Sequence, residues 1–174
     1  MLLAYQVTSL VSSDETVQRW IKDFGLGGIF IISAISGFNL VVPIPIATFI
    51  PVFLESGFNF YAVILIISLG MTTGDILSYL IGSLGRRVII TEESLQKHWF
   101  VKLINKSRAK YKTLPYVILF IFASVVPIPN EITVMPMGFL GYKMKIIIPI
   151  LIVGNLIFNF WAGQSVEGIF NFID

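Results

Sequence analysis

The string Val-Val-Pro-Ile-Pro occurs twice in this 174-residue chain, at 41–45 and at 125–129, each time inside a long apolar stretch. No charged residue lies between Phe24 and Leu54, and Glu131 is the only one between Leu114 and Leu140. A membrane-spanning helix needs about 20 apolar residues. The first stretch is longer than one such helix and shorter than two, and Pro43, Pro45 and Pro51 punctuate it. A proline inside a helix removes a hydrogen bond and clashes with the preceding turn. The stretch therefore reads as a helix from about Gly27 to Val42, a break at Pro43-Ile44-Pro45, and a short re-entrant piece. That piece turns back near Pro51 and emerges by Glu55–Asn59. One kinked span followed by a loop is the competing reading. Irregular backbone at membrane depth survives only where protein or a water-filled cavity covers it. The second stretch repeats the plan, with breaks at Pro127 and Pro129, another proline at Pro136 and a glycine turn at Gly138–Gly141.

Composition points to the same solvent. Hydrophobic residues make up 56% of the chain, charged residues 13%, and the mean hydropathy is +0.87. A soluble domain carries about 25% charged residues, so this chain is too poor in charge to coat a water-exposed surface of its own size. Fifteen Phe, three Trp and six Tyr suit a lipid-facing exterior with aromatic interfaces. The net charge of +2 is unevenly spread. Arg86, Arg87, Lys97, Lys102, Lys106, Arg108, Lys110 and Lys112 fall in Gly85–Thr113, and only Arg19, Lys22, Lys143 and Lys145 lie elsewhere. By the positive-inside rule that basic loop is cytoplasmic, a reading preferred to nucleic-acid binding. There are no cysteines, hence no disulfides. Met1–Ser13 lacks a basic start and is not read as a cleaved signal peptide.

The expectation is a single all-α membrane domain over 1–174: a first half at 14–85, a basic amphipathic linker at 86–113 and a second half at 114–163. Ser13 is placed to cap a helix whose Val17, Trp20, Ile21 and Phe24 share one face, as in a helix lying at a membrane surface. Tyr61–Leu84 is a full span interrupted only by Asp75. Its Gly70, Gly74, Ser78 and Gly82 form a small-residue stripe that lets another helix approach closely. The stripe suits internal packing or a homodimer interface equally. Thr91, Glu92 and Glu93 look like the start of a second interfacial helix, on which His98 is structural. Ile146–Ala162 is the last span. Gly154-Asn155 in it matches Gly74-Asp75, and Asn159 and Ala162 match Tyr79 and Gly82. The chain is therefore an internal repeat. Charge counting makes the halves inverted, a plan seen in transporters.

Acids inside a membrane are costly, so Asp75, Glu131 and Glu55 are the candidates for transport or proton coupling. Asp75 is either a functional carboxylate or an acid bonded to Tyr79, one turn away. Glu55 lies near an exit, where plain solvation explains it. Tyr79, Asn130, Asn155 and Asn159 are candidates to line a polar path, and Asn155 and Asn159 serve equally well as interhelical glue. Arg86, Arg87 and Lys143 are positioned to hold a headgroup at the cytoplasmic rim. No nucleophile–base set, phosphate-binding glycine loop or His/Cys cluster is present, so neither an enzyme, a metal nor a cofactor is expected.

At these residues the chain resembles the DedA family, also described as the VTT or SNARE-associated membrane domain family. The resemblance is carried by Pro43-Ile44-Pro45, by the run of Gly70, Gly74-Asp75, Tyr79, Gly82 and Gly85-Arg86, by Pro127-Ile128-Pro129, and by Gly138 through Trp161. It covers roughly residues 25–163. It implies two re-entrant hairpins in inverted repeat and movement of lipid across the bilayer, either polyprenyl-phosphate flipping or phospholipid scrambling. It further implies proton coupling through buried acids in bacterial members. Many members carry an acid after the first proline pair, where this chain has Ile46-Ala47-Thr48. Many carry an arginine after the second, where this chain has Asn130-Glu131. The natural phosphate clamp is thus missing from that position. The leading expectation is a multi-pass cell-membrane protein moving lipid between leaflets. A proton-coupled exporter of a small solute or cation, and a structural membrane module, are the alternatives.

Overall fold

A computed structural model describes residues 15–38, 46–91 and 113–173, and all the regular structure among them is helical. Helix α1 covers Glu15–Ser36. A 3-10 turn at Ile46–Phe49 leads into the short α2, Ile50–Glu55. Then follow α3 (Phe60–Thr91), α4 (Leu114–Val125), α5 (Glu131–Leu140) and α6 (Met144–Ile173). Two of these helices are long and apolar enough to cross a membrane, over Phe60–Arg87 and Met144–Ser165.

The described residues are distributed inside out relative to a protein that folds in water. Leu65, Leu77, Ile81, Ile121 and Val153 are exposed, whereas Ser33, Ser68, Thr72, Asp75, Asn155 and Asn159 are buried. An apolar exterior around a polar interior is how a helical membrane protein is organised, because lipid replaces water outside and side-chain hydrogen bonds hold the helices together inside.

The long helices α3 and α6 run antiparallel, for Ser68 meets Asn159 and Gly163 lies against Phe60 and Ile64. Helix α1 follows the first half of α3: a methyl group on Gly70 would sit 2.6 Å from Ser33 Cβ, and Gly74 touches Ala34 and Gly37. Helix α5 follows the second half, with Gly82 against Met135 and Gly138 against Tyr79 and Ser83. Helix α4 lies along the first half of α6, where Ala123 meets Gly154. The chain thus doubles back between Val125 and Glu131. Two apolar clusters result, one of Ile29, Ile50, Phe53, Val63 and Ile67, the other of Leu119, Val134, Met137, Tyr142 and Leu151.

Both short helices stop in the same way. Gly57 and Gly141 take positive φ (94° and 71°), a conformation cheap only for glycine. The next residue returns its N–H to the helix: Phe58 to Phe53 O at 3.3 Å and Tyr142 to Met137 O at 3.0 Å. This is the Schellman arrangement.

Several sequence expectations change. The surface helix and the apolar helix after it are joined as one element, kinked at Gly25 (φ 56°, ψ −151°). It ends at Ser36, short of Val42. Pro51 does not turn the chain; it occupies the first turn of α2, where its missing N–H costs nothing. Pro136 and Pro149 lie inside α5 and α6, each as the sixth residue of its helix. Of Gly138–Gly141, only Gly141 makes the turn. Helix α3 continues to Thr91, so Arg86 and Arg87 stand on a helix, not in a loop. Nothing from Arg86 to Ile90 breaks a helix, and arginine favours one. The Ser13 cap, Pro43, Pro45, the second interfacial helix and His98 lie outside the described residues.

Candidate functional site

Asp75 stands near the middle of α3, about 21 Å along the axis from Tyr61 and about 17 Å from Arg86, and is 2% exposed. It occupies the layer between the two apolar clusters. Ser68, Thr72 and Asp75 fall on one face of α3, at the four- and three-residue steps that align side chains along a helix. That face looks onto Asn155 and Asn159 of α6, one turn apart.

Hydroxyl protons go to the backbone. Ser68 Oγ donates to Ile64 O (2.7 Å) and shares its proton with Asn155 O across the helix pair (3.2 Å), and Thr72 Oγ1 donates to Ser68 O (2.8 Å). Their oxygens are left as acceptors. The interhelical bonds between side chains are then donated by three amides. Asn155 Nδ2 donates to Thr72 Oγ1 (3.0 Å) and to Asp75 Oδ2 (2.9 Å). Asn130 Nδ2 donates to the same Asp75 oxygen (3.1 Å) and to Asn155 Oδ1 (3.0 Å). Asn159 Nδ2 donates to Ser68 Oγ (3.1 Å) and to Asn155 O (2.8 Å), with Met71 Sδ at 3.4 Å. The Oδ1 of Asn159 accepts nothing, and the buried hydroxyls of Ser78 and Ser124 make no hydrogen bond.

Asn130 reaches this network because the chain doubles back at Pro127–Pro129 and α5 starts beside Asp75. Glu131 is the first residue of α5, is 5% exposed, and lies within electrostatic range of Asp75. A helix N-terminus, with its unpaired N–H groups, is a favourable seat for a carboxylate.

The structure therefore brings Asp75, Asn130, Asn155 and Asn159 together, with Glu131 at the edge. It does not bring in Glu55, which is exposed at the end of α2. Tyr79 directs its single proton to Tyr142 O (2.6 Å), away from Asp75, and so locks α3 to the turn after α5. Tyr79→Phe is expected to cost about 1 kcal/mol, read as a lowered unfolding midpoint in detergent. At that same end Arg86 Nη1 donates to Leu140 O (3.2 Å) and Lys143 N–H to Tyr116 OH (3.1 Å). Arg86 and Lys143 share one end of the bundle, and Arg87 is exposed there. Pro127 and Pro129 are exposed at the turn.

Sequence reasoning missed Ser68 and Thr72, although their spacing from Asp75 was the available signal. Asn155→Ala removes two donors and one acceptor at once, leaving buried Thr72 and Asp75 short. The expected cost is about 2 kcal/mol, measured by denaturant titration in detergent. No family model, curated protein or solved structure matches the chain.

Proposed function

We propose that this protein moves lipid between the leaflets of a bilayer, the polar headgroup crossing beside Asp75, Asn130 and Asn155 while the tail stays in lipid. The observation that carries the reading is a buried polar network joining three helices halfway along α3, in a protein whose exterior is apolar. Tyr61 and Arg86 are separated by about 38 Å along the helix, close to the thickness of a bilayer with its interfaces. Asp75 then lies near the midplane. The end bearing Arg86, Arg87, Lys143 and Lys145 faces the cytoplasm.

In this reading the two halves are inverted repeats and each contributes a re-entrant hairpin, as the resemblance to the DedA family implies. The contacts support it: α1 lies along α3 as α4 lies along α6, while α5 crosses to α3 and α2 crosses to α6. Spacing supports it too. Gly57 and Gly141 are separated by the same number of residues as the two Val-Val-Pro-Ile-Pro strings, as are Phe60 and Met144, where α3 and α6 begin. On that spacing Asp75 corresponds to Asn159, one turn from its match with Asn155 in the sequence.

The test is reconstitution of the full chain into vesicles with acyl-labelled phospholipid or labelled polyprenyl phosphate. Movement above that of protein-free vesicles is expected for at least one class, and its absence for both sinks the reading. The second reading, a proton-coupled exporter, is favoured by one observation: two buried carboxyl groups lie within range of each other among neutral amides. It predicts that Asp75→Asn abolishes ion-driven flux and leaves lipid movement intact.

A further inference from the structure

The hydrogen-bond inventory of the central network is unbalanced. An amide –NH2 has two protons, and Asn130, Asn155 and Asn159 have each placed both. The proton of Thr72 is committed to its own helix, and that of Ser68 to the backbone oxygens of Ile64 and Asn155. Acceptors remain: Asn159 Oδ1, on a fully buried side chain, has no donor, and the Asp75 carboxyl is served only by neutral amides. Every described basic residue is ten or more residues along the chain from Asp75, Asn130 and Asn155, a separation of about 15 Å or more along a helix. Among the described residues the network is rich in oxygen and short of N–H donors.

One donor already in place has the geometry of a nitrogen seat. Asn130 Nδ2 lies 3.1 Å from Asp75 Oδ2 and 3.0 Å from Asn155 Oδ1, between a carboxylate and an amide carbonyl on two different helices. Asn130 itself sits at the start of α5, next to the exposed turn at Pro127–Pro129.

We propose that this position is a binding site for a primary ammonium group, for which the Asn130 amide is the resident stand-in. An ammonium placed there would donate to the same two oxygens, carry a third proton for a further acceptor, and add a charge opposite to that of Asp75. A charge-assisted bond of this kind is stronger than the neutral one it displaces. The choice of ammonium over phosphate follows from the lack of a basic neighbour among the described residues. The choice over a bare metal cation follows from spacings of hydrogen-bond length. The amine is carried either by a lipid headgroup or by a small free molecule. Only the lipid source rests on the function proposed above.

Two measurements on the full chain separate these. In detergent, ethanolamine is expected to raise the unfolding midpoint of the wild type, with choline and sodium ions giving no rise. Asp75→Asn should abolish the response, and Asn130→Ala, which vacates the seat, should strengthen it about tenfold in half-saturating concentration. In vesicles, acyl-labelled phosphatidylethanolamine is expected to cross about tenfold faster than acyl-labelled phosphatidylcholine or phosphatidylglycerol. Stabilisation by ethanolamine without lipid movement supports a free amine as ligand and overturns only leaflet transport. Lipid movement at equal rates for all three headgroups, without stabilisation by ethanolamine, overturns the amine site and leaves leaflet transport standing. Stabilisation by sodium in place of ethanolamine overturns the amine site in favour of a metal cation.

Discussion

Replacing Gly138 by alanine is expected to destabilise the protein by about 3 kcal/mol, a large share of the stability of a domain this size. A Cβ there would collide with the carbonyl oxygen of Tyr79 and come within 3.1 Å of Ser83 N. Both obstacles are backbone atoms of α3, so no side chain can rotate away and the helices must separate. Gly82 has the same problem from the other side, against Met135 O. Separation would also stretch the bond from Asn130 to Asp75, because both ends belong to this helix pair. The control is Gly85→Ala on the same face of α3. Its Cβ would meet only Phe139 Cδ2, at 3.8 Å. That substitution removes a flexible helical glycine and is expected to be neutral or stabilising by about 0.5 kcal/mol. Chemical unfolding in detergent reads both. Equal effects of the two substitutions would show that close approach at Gly138 is not what holds α5 to α3.

The second large effect is on activity. Asp75→Asn is expected to lower leaflet exchange about a hundredfold while the protein stays folded. Asparagine keeps an oxygen where Asp75 Oδ2 now accepts from Asn130 and Asn155, so the two donors retain their acceptor. What disappears is the carboxyl group that accepts from both amides. The unfolding midpoint separates this outcome from a purely structural role, in which stability would fall and any activity would follow it. Asp75→Leu, by contrast, strands both amides and should be lost to misfolding.

Much of this layout was legible in the chain. Scarce charge and the apolar stretches gave the helical membrane class. The glycine stripe gave the close-packed face of α3, and Asp75 stood out because nothing else in its span is charged. Prolines misled where their position within a helix mattered more than their presence: Pro51 begins α2, and Pro136 and Pro149 are absorbed early in α5 and α6. The end of α3 was placed too soon because Arg86 and Arg87 read as a loop, although a helix carries such residues readily past an apolar segment. Asn130 and Asn155 stood out as polar-path candidates, but their pairing with Asp75 was not legible. Tyr79 is its neighbour along the helix, but Asn130 and Asn155 reach it through the tertiary arrangement of α5 and α6 on α3, which no local spacing encodes. Ser68 and Thr72 were hidden by their ordinariness, since a hydroxyl on an apolar helix can satisfy its proton on its own backbone and gives no sign in the sequence of the α6 partners it also takes.

The central claim is that a lipid headgroup passes the Asp75 network. The most direct measurement is leaflet exchange in vesicles labelled on both leaflets and holding equal amounts of wild type or Asp75→Asn protein. An impermeant quencher is added outside. In protein-free vesicles only the outer label is lost. With the wild type the inner label is predicted to follow, as lipid exchanges outward, and with Asp75→Asn to remain protected. Inner label protected in both, or lost at the same rate in both, would contradict the account.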